Sequence, residues 1–86
     1  MKYTKHTVDK LEELLNEIGY VVRYERGTFQ SGYCILEQKK VVVLNKFLQI
    51  EGRINTLMDI IPKLVEKPEM LSPEARKTFD HMQIKT

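Results

Sequence analysis

Four consecutive apolar residues, Val41-Val42-Val43-Leu44, set the first condition on any fold of this chain. A run rich in β-branched side chains with no polar alternation reads as a strand covered on both faces. Lys40 and Asn45 bound it. Two candidate neighbours precede it. Tyr20-Val21-Val22-Arg23-Tyr24-Glu25-Arg26 is aromatic and β-branched, and Tyr33-Cys34-Ile35-Leu36-Glu37 is a second, shorter run. Arg26-Gly27-Thr28 opens a loop that closes near Ser31-Gly32, and Gln38-Lys39 makes a tight polar turn. Connections this short join antiparallel neighbours, so the spacing predicts a three-stranded antiparallel meander. Either a helix or tail of the same chain, or a partner subunit, then covers its second face.

Helices flank the strands. Thr7 is a candidate N-cap for a helix over Val8 to Ile18, with Val8, Leu11, Leu14, Leu15 and Ile18 on one stripe. Gly19 stands where a left-handed cap belongs. Ile50, Ile54, Leu57, Met58, Ile61, Leu64 and Val65 repeat at the helical period. Pro62 removes a hydrogen bond to the Met58 carbonyl, which predicts that this helix stops near Ile61 or kinks there. Gly52 either permits close packing or precedes the true helix start. Ile54, Leu57, Met58 and Ile61 are the residues expected on the sheet. Ser72-Pro73-Glu74 is a strong helix start, and Ala75, Phe79 and Met82 follow as a narrow apolar stripe. Gln83 to Thr86 are expected to fray. The fold class is therefore α+β, one small domain over residues 1–86 in the order α-β-β-β-α-α, with the meander packed on helices.

Composition excludes several classes. With 42% hydrophobic and 30% charged residues, the chain is neither a disordered tail nor a membrane protein. No apolar run approaches the roughly 18 residues that span a bilayer. Met1-Lys2-Tyr3-Thr4-Lys5-His6 leads into a charged amphipathic segment instead of an apolar signal core. A single cysteine, Cys34, allows no internal disulfide and suits a reducing, cytoplasmic location. A net charge of +2 is too balanced to imply nucleic acid by itself.

Catalytic signals are few. Gly19, Gly27, Gly32 and Gly52 fit neither the phosphate-loop nor the dinucleotide spacing. Cys34 lies within a strand and has only His6 and His81 as possible bases. The same three residues are the only soft metal ligands, without the paired short spacing of a zinc site. Carboxylate pairs such as Glu13 with Glu17 and Glu66 with Glu69 fall on helix surfaces or breaks, and read as solubility charges. No catalytic, cofactor-binding or metal residues are assigned, and no cofactor is expected. Basic residues accompany the strands: Arg23, Arg26, Lys39, Lys40 and Lys46, among Tyr20, Tyr24, Phe29 and Tyr33. Such interleaving can bind single-stranded nucleic acid. Alternation sends Tyr20, Val22 and Tyr24 to one face and Val21, Arg23 and Glu25 to the other, which separates part of the aromatic set from part of the basic one.

One stretch resembles a known family. Gln30-Ser31-Gly32-Tyr33-Cys34-Ile35-Leu36, then Lys40 to Asn45, then Arg53-Ile54-Asn55-Thr56-Leu57 is similar to the strand-strand-helix core of small bacterial zinc metallopeptidases that cleave repressors. In that family a strand ending in asparagine precedes a helix carrying His-Glu-x-x-His. Here Met58-Asp59-Ile60-Ile61-Pro62 stands in its place, without either histidine and with only Asp59 near the glutamate position. The resemblance covers about residues 30–62 and implies a non-catalytic relative.

The expectation is a non-enzymatic protein-interaction or accessory module that associates as a homodimer or with a protein partner, away from membranes. Tyr20, Val22, Tyr24, Tyr33 and Ile35 are its interface candidates. The alternative is a nucleic-acid-binding domain using the basic and aromatic hairpins, and a third reading is a degenerate metallopeptidase relative.

Overall fold

The structure, a computed structural model, describes residues 2–26 and 33–84. Helix α1 spans Lys5–Glu17, strand β1 Val21–Glu25, β2 Tyr33–Leu36, β3 Val41–Asn45, α2 Ile50–Leu64 and α3 Pro73–Ile84. Single 3-10 turns at Glu37–Lys39 and Pro68–Met70 join β2 to β3 and precede α3. The radius of gyration is 12.2 Å, close to the roughly 12 Å that chain length predicts for one compact domain.

The sheet is not the expected meander. Its order is β1-β3-β2, with β1 parallel to β3 and β2 antiparallel to β3. β1 and β2 do run in opposite directions, as their short connection requires. They are not neighbours, because β3 lies between them. A seven-residue link (26 to 32) can cross the two strand spacings, about 10 Å, that separate the outer strands. Connection length therefore fixed direction and not adjacency. The unalternating apolar strand takes the only position with a strand on each side, and Val42, Val43 and Leu44 are all buried there.

Helix α1 begins one turn earlier than its apolar stripe suggests. Thr4, not Thr7, is the N-cap, and its hydroxyl accepts the Thr7 N–H at 3.3 Å. Thr7 is then the third residue of the helix and is buried beside Val8. The helix ends as its sequence indicates. Gly19 has φ +92°, its N–H donates to the Asn16 carbonyl at 3.0 Å, and the Tyr20 N–H donates to the Leu15 carbonyl at 2.9 Å. These are the two bonds of a Schellman cap. They turn the chain directly from α1 into β1.

Helix α2 continues through Pro62 to Leu64 instead of stopping near Ile61. The missing N–H falls in the last turn, where few later bonds depend on it, and the Val65 N–H still reaches the Ile61 carbonyl at 3.0 Å. Ile54, Leu57, Ile60 and Ile61 are fully buried, while Met58 is only half-buried. Ile60 thus holds the core position expected of Met58. Gly52 lies in the first turn, where an added Cβ would stand 3.2 Å from a Leu48 methyl. Close packing against Leu48 accounts for it.

Ser72 caps α3 as predicted, accepting the Ala75 N–H at 3.2 Å. The backbone N–H of Ser72 also donates to the Glu17 carboxylate at 2.6 Å. This joins the start of α3 to the end of α1, and α3 lies along α1 with Ala75, Phe79 and Met82 buried. The helix extends to Ile84, and Lys85 and Thr86 of the stretch expected to fray lie outside the described residues. The core gathers Leu11, Leu14 and Leu15 of α1, Val42 and Leu44 of β3, Ile54, Leu57, Ile60 and Ile61 of α2, and the α3 stripe.

Candidate interaction surface

Strand pairing sorts the sheet into rows. Val22–Val42–Ile35 and Tyr24–Leu44–Tyr33 lie on one face, and Val21–Val41–Leu36, Arg23–Val43–Cys34 and Glu25–Asn45 on the other. The first face is the domain's own. Tyr20, Val22, Tyr24 and Ile35 pack, half-buried, against the core. Four of the five interface candidates are therefore engaged inside the domain. For the fifth, Tyr33, the backbone pairs with Leu44 and the side chain lies outside the described set, as does that of Cys34. Gly27, Phe29 and Gly32 fall outside the described residues altogether.

Tyr24 fastens that inner face. Its hydroxyl donates to the Glu12 carboxylate of α1, and the Arg53 guanidinium of α2 lies 4.7 Å from its ring centroid, within cation–π range. Burial first, then the hydrogen bond to Glu12 and its charge, holds the phenol above the ordinary tyrosine range. Two helices and a strand thus meet at one side chain.

The second face is different. Val21 is 53% and Leu36 42% exposed, and they flank the half-buried Val41 in one row across all three strands. Val43, although buried, stands outside the core cluster. Helix α3, one of the segments that could have covered this face, packs on α1 instead. Beyond the aliphatic row the face becomes polar, with Arg23 and Glu25 paired at 2.9 Å.

The basic candidates do not converge. Arg23 is paired on the open face. Lys39 and Lys40 sit at the β2–β3 turn, where Lys40 has φ +53°. Arg26 and Lys46 lie at the opposite end of the sheet, about 16 Å away along five strand residues. They meet at Phe47, which is 65% exposed and lies in the connection between β3 and α2. Arg26 and Lys46 stand 5.8 and 5.6 Å from its ring centroid. The signal was present in Asn45-Lys46-Phe47, an aromatic directly after a strand and beside a cation, but it lay in a connection between elements.

His6 and His81, which the sequence separates, line one groove between α1 and α3 with Lys2, Lys10 and Lys77. Among the described residues no group of three or more His, Cys, Asp or Glu could hold a metal ion. The stretch aligned with the metallopeptidase helix lies in α2: Ile60 and Ile61 are buried, and Asp59 is exposed with Lys63 at 3.5 Å. Among the described residues no helix is long and apolar enough to cross a membrane.

No family model, curated protein or solved structure matches this chain.

Proposed function

We propose that this chain is a non-enzymatic protein-interaction module that pairs with a second copy of itself through the open face of the sheet. The observation that supports it most is the row Val21–Val41–Leu36, aliphatic on all three strands and exposed at both ends. A two-fold axis over such a row lets one patch serve both subunits. It also removes from water an apolar surface that monomers ordinarily hide. The Arg23–Glu25 pair beside the row carries both charge signs, so the same contact can be charge-matched when antiparallel copies meet.

Light scattering across micromolar to millimolar protein tests this reading. The expected mass at the upper end is twice the 10.2 kDa of one chain. The double variant Val21→Asp, Leu36→Asp is expected to remain at one chain mass, with the melting curve of the native chain in dilute, undimerised solution. A single-chain mass for the native protein at every concentration rejects self-association. The implied kinship with repressor-cleaving peptidases enters this proposal only as a non-catalytic relative, and stoichiometric zinc in the purified protein would refute it.

A further inference from the structure

At the carboxyl ends of the parallel strands β1 and β3, an exposed aromatic ring is held in a turn with two cations beside it. The Lys46 N–H extends the ladder to the Glu25 carbonyl at 3.0 Å. The Asn45 side chain accepts the Phe47 N–H at 3.0 Å, and its carbonyl accepts the Leu48 N–H at 3.1 Å. From α2, Arg53 donates to the Leu48 carbonyl at 3.0 Å and to the Lys46 carbonyl at 3.4 Å while its guanidinium lies against Tyr24. Arg53 is thereby committed to the turn and serves as a positioning residue. The turn leaves Phe47 65% exposed, with Arg26 and Lys46 both within about 6 Å of its ring centroid. Neither Arg26 nor Lys46 has a carboxylate partner among the ion pairs of the described residues, whereas Arg23 is taken by Glu25.

We infer that this end of the sheet is a docking site for single-stranded nucleic acid, with Phe47 as the stacking platform and Arg26 and Lys46 as the phosphate contacts. The proposal goes beyond the association through the open face and does not depend on it. The chemistry follows from the geometry. A base offers a π-face that any planar ring accepts, and its own phosphates lie within reach of side chains beside that ring. The cations stand too near the ring for a base to slide beneath them. A stacked base takes the place of one, which is then free to meet the phosphate. A duplex keeps its bases stacked on each other and offers the ring nothing, so single strands are the favoured form. Lys39 and Lys40, at the other end of the sheet, take no part.

Fluorescence anisotropy with a labelled ten-nucleotide oligothymidine or oligouridine, at about 50 mM salt, tests the site. Phe47→Ala is expected to weaken binding about tenfold, the scale of one lost base stack. Arg26→Gln with Lys46→Gln is expected to weaken it and to lower the slope of log affinity against log salt by about 1.4, two single-strand phosphate contacts. Lys39→Gln with Lys40→Gln, and Val21→Asp with Leu36→Asp, are expected to change affinity less than twofold. Melting curves of each variant confirm folding, and Phe47 is exposed enough to be removed without loss of core. The inference is overturned by absence of binding up to millimolar protein, by Phe47→Ala binding as well as the native chain, by equal loss in the Lys39 and Lys40 variant, or by tighter binding of a poly-glutamate peptide than of the oligonucleotide.

Discussion

Val42 and Val43 are neighbours in sequence, both buried, and belong to different surfaces. Val42 faces α1 and α2 with Leu44 and is part of the core; Val43 faces the other way, between Arg23 and Cys34 in register, and is not. The inner face is closed by two helices and tied by a half-buried polar node at Tyr24. The outer face ends in a partly exposed aliphatic row. Burial of an apolar strand residue does not by itself place it in the core: Val43 is buried, as Val42 is, yet stands outside the core cluster.

Four sets of substitutions test that contrast. The largest effect is expected on the inner face. Leu44→Ala or Leu57→Ala removes a side chain with no exposure, and the cavity should cost about 2–5 kcal/mol in urea melts. A loss below about 1 kcal/mol would show that the helices do not close this face. Next is Gly19→Ala, which places a Cβ on a backbone at φ +92°. A loss of about 1–2 kcal/mol is expected from the left-handed conformation alone, and an unchanged midpoint would deny the cap its role in setting α1 over β1.

Tyr24→Phe comes third, at about 1 kcal/mol for the lost hydrogen bond. Its signature is also a pH effect. Because burial and Glu12 raise the phenol above its ordinary range, the folded chain holds that proton more tightly than the unfolded one. The associated stability is fully present below about pH 10 and is lost as pH rises through the raised value. Midpoints measured from pH 8 upward should fall more steeply for the native chain than for Tyr24→Phe, and parallel curves would remove Tyr24 from the node. The smallest effect belongs to the outer face: Val21→Ser and Leu36→Ser should each change stability by less than about 0.5 kcal/mol. A larger loss in dilute solution would mean that this face is already packed within one chain.

Much of the inner face was legible. The stripes of α1 and α2 named nearly all of its helical contributors, and Gly19, Ser72 and the three strands fell where caps and β-branched runs placed them. The order of the strands was not legible from connection length, because a short link constrains direction and is nearly indifferent to one intervening strand. The unalternating run at Val41–Leu44 held that information, since only a middle strand has neighbours on both edges. Met58 and Ile60 exchanged roles because residues two apart on a helix sit on opposite flanks of a stripe, and periodicity alone cannot say which flank meets a neighbour. The site was less legible still. Tyr20, Val22, Tyr24 and Ile35 have the right chemistry for an interface, yet nothing in their alternation says which face of the sheet the helices choose. Phe47 lay outside every element whose pattern could be counted.

The placing of β3 between two strands made before it also bears on how the chain is assembled. As synthesis proceeds from the amino end, β1 and β2 both emerge with open edges and no partner, since neither pairs with the other. Only when Val41–Asn45 follows can a local hairpin form with β2, and only then does β1 gain a strand to join, across the twenty-residue span from Val21 to Val41. Until that moment α1 has no completed sheet to rest on. A nascent chain halted before residue 41 should therefore remain open to proteases, and resistance should begin only once β3 has paired and α2 has emerged to close the inner face, a step set by topology and not by the strength of any single contact.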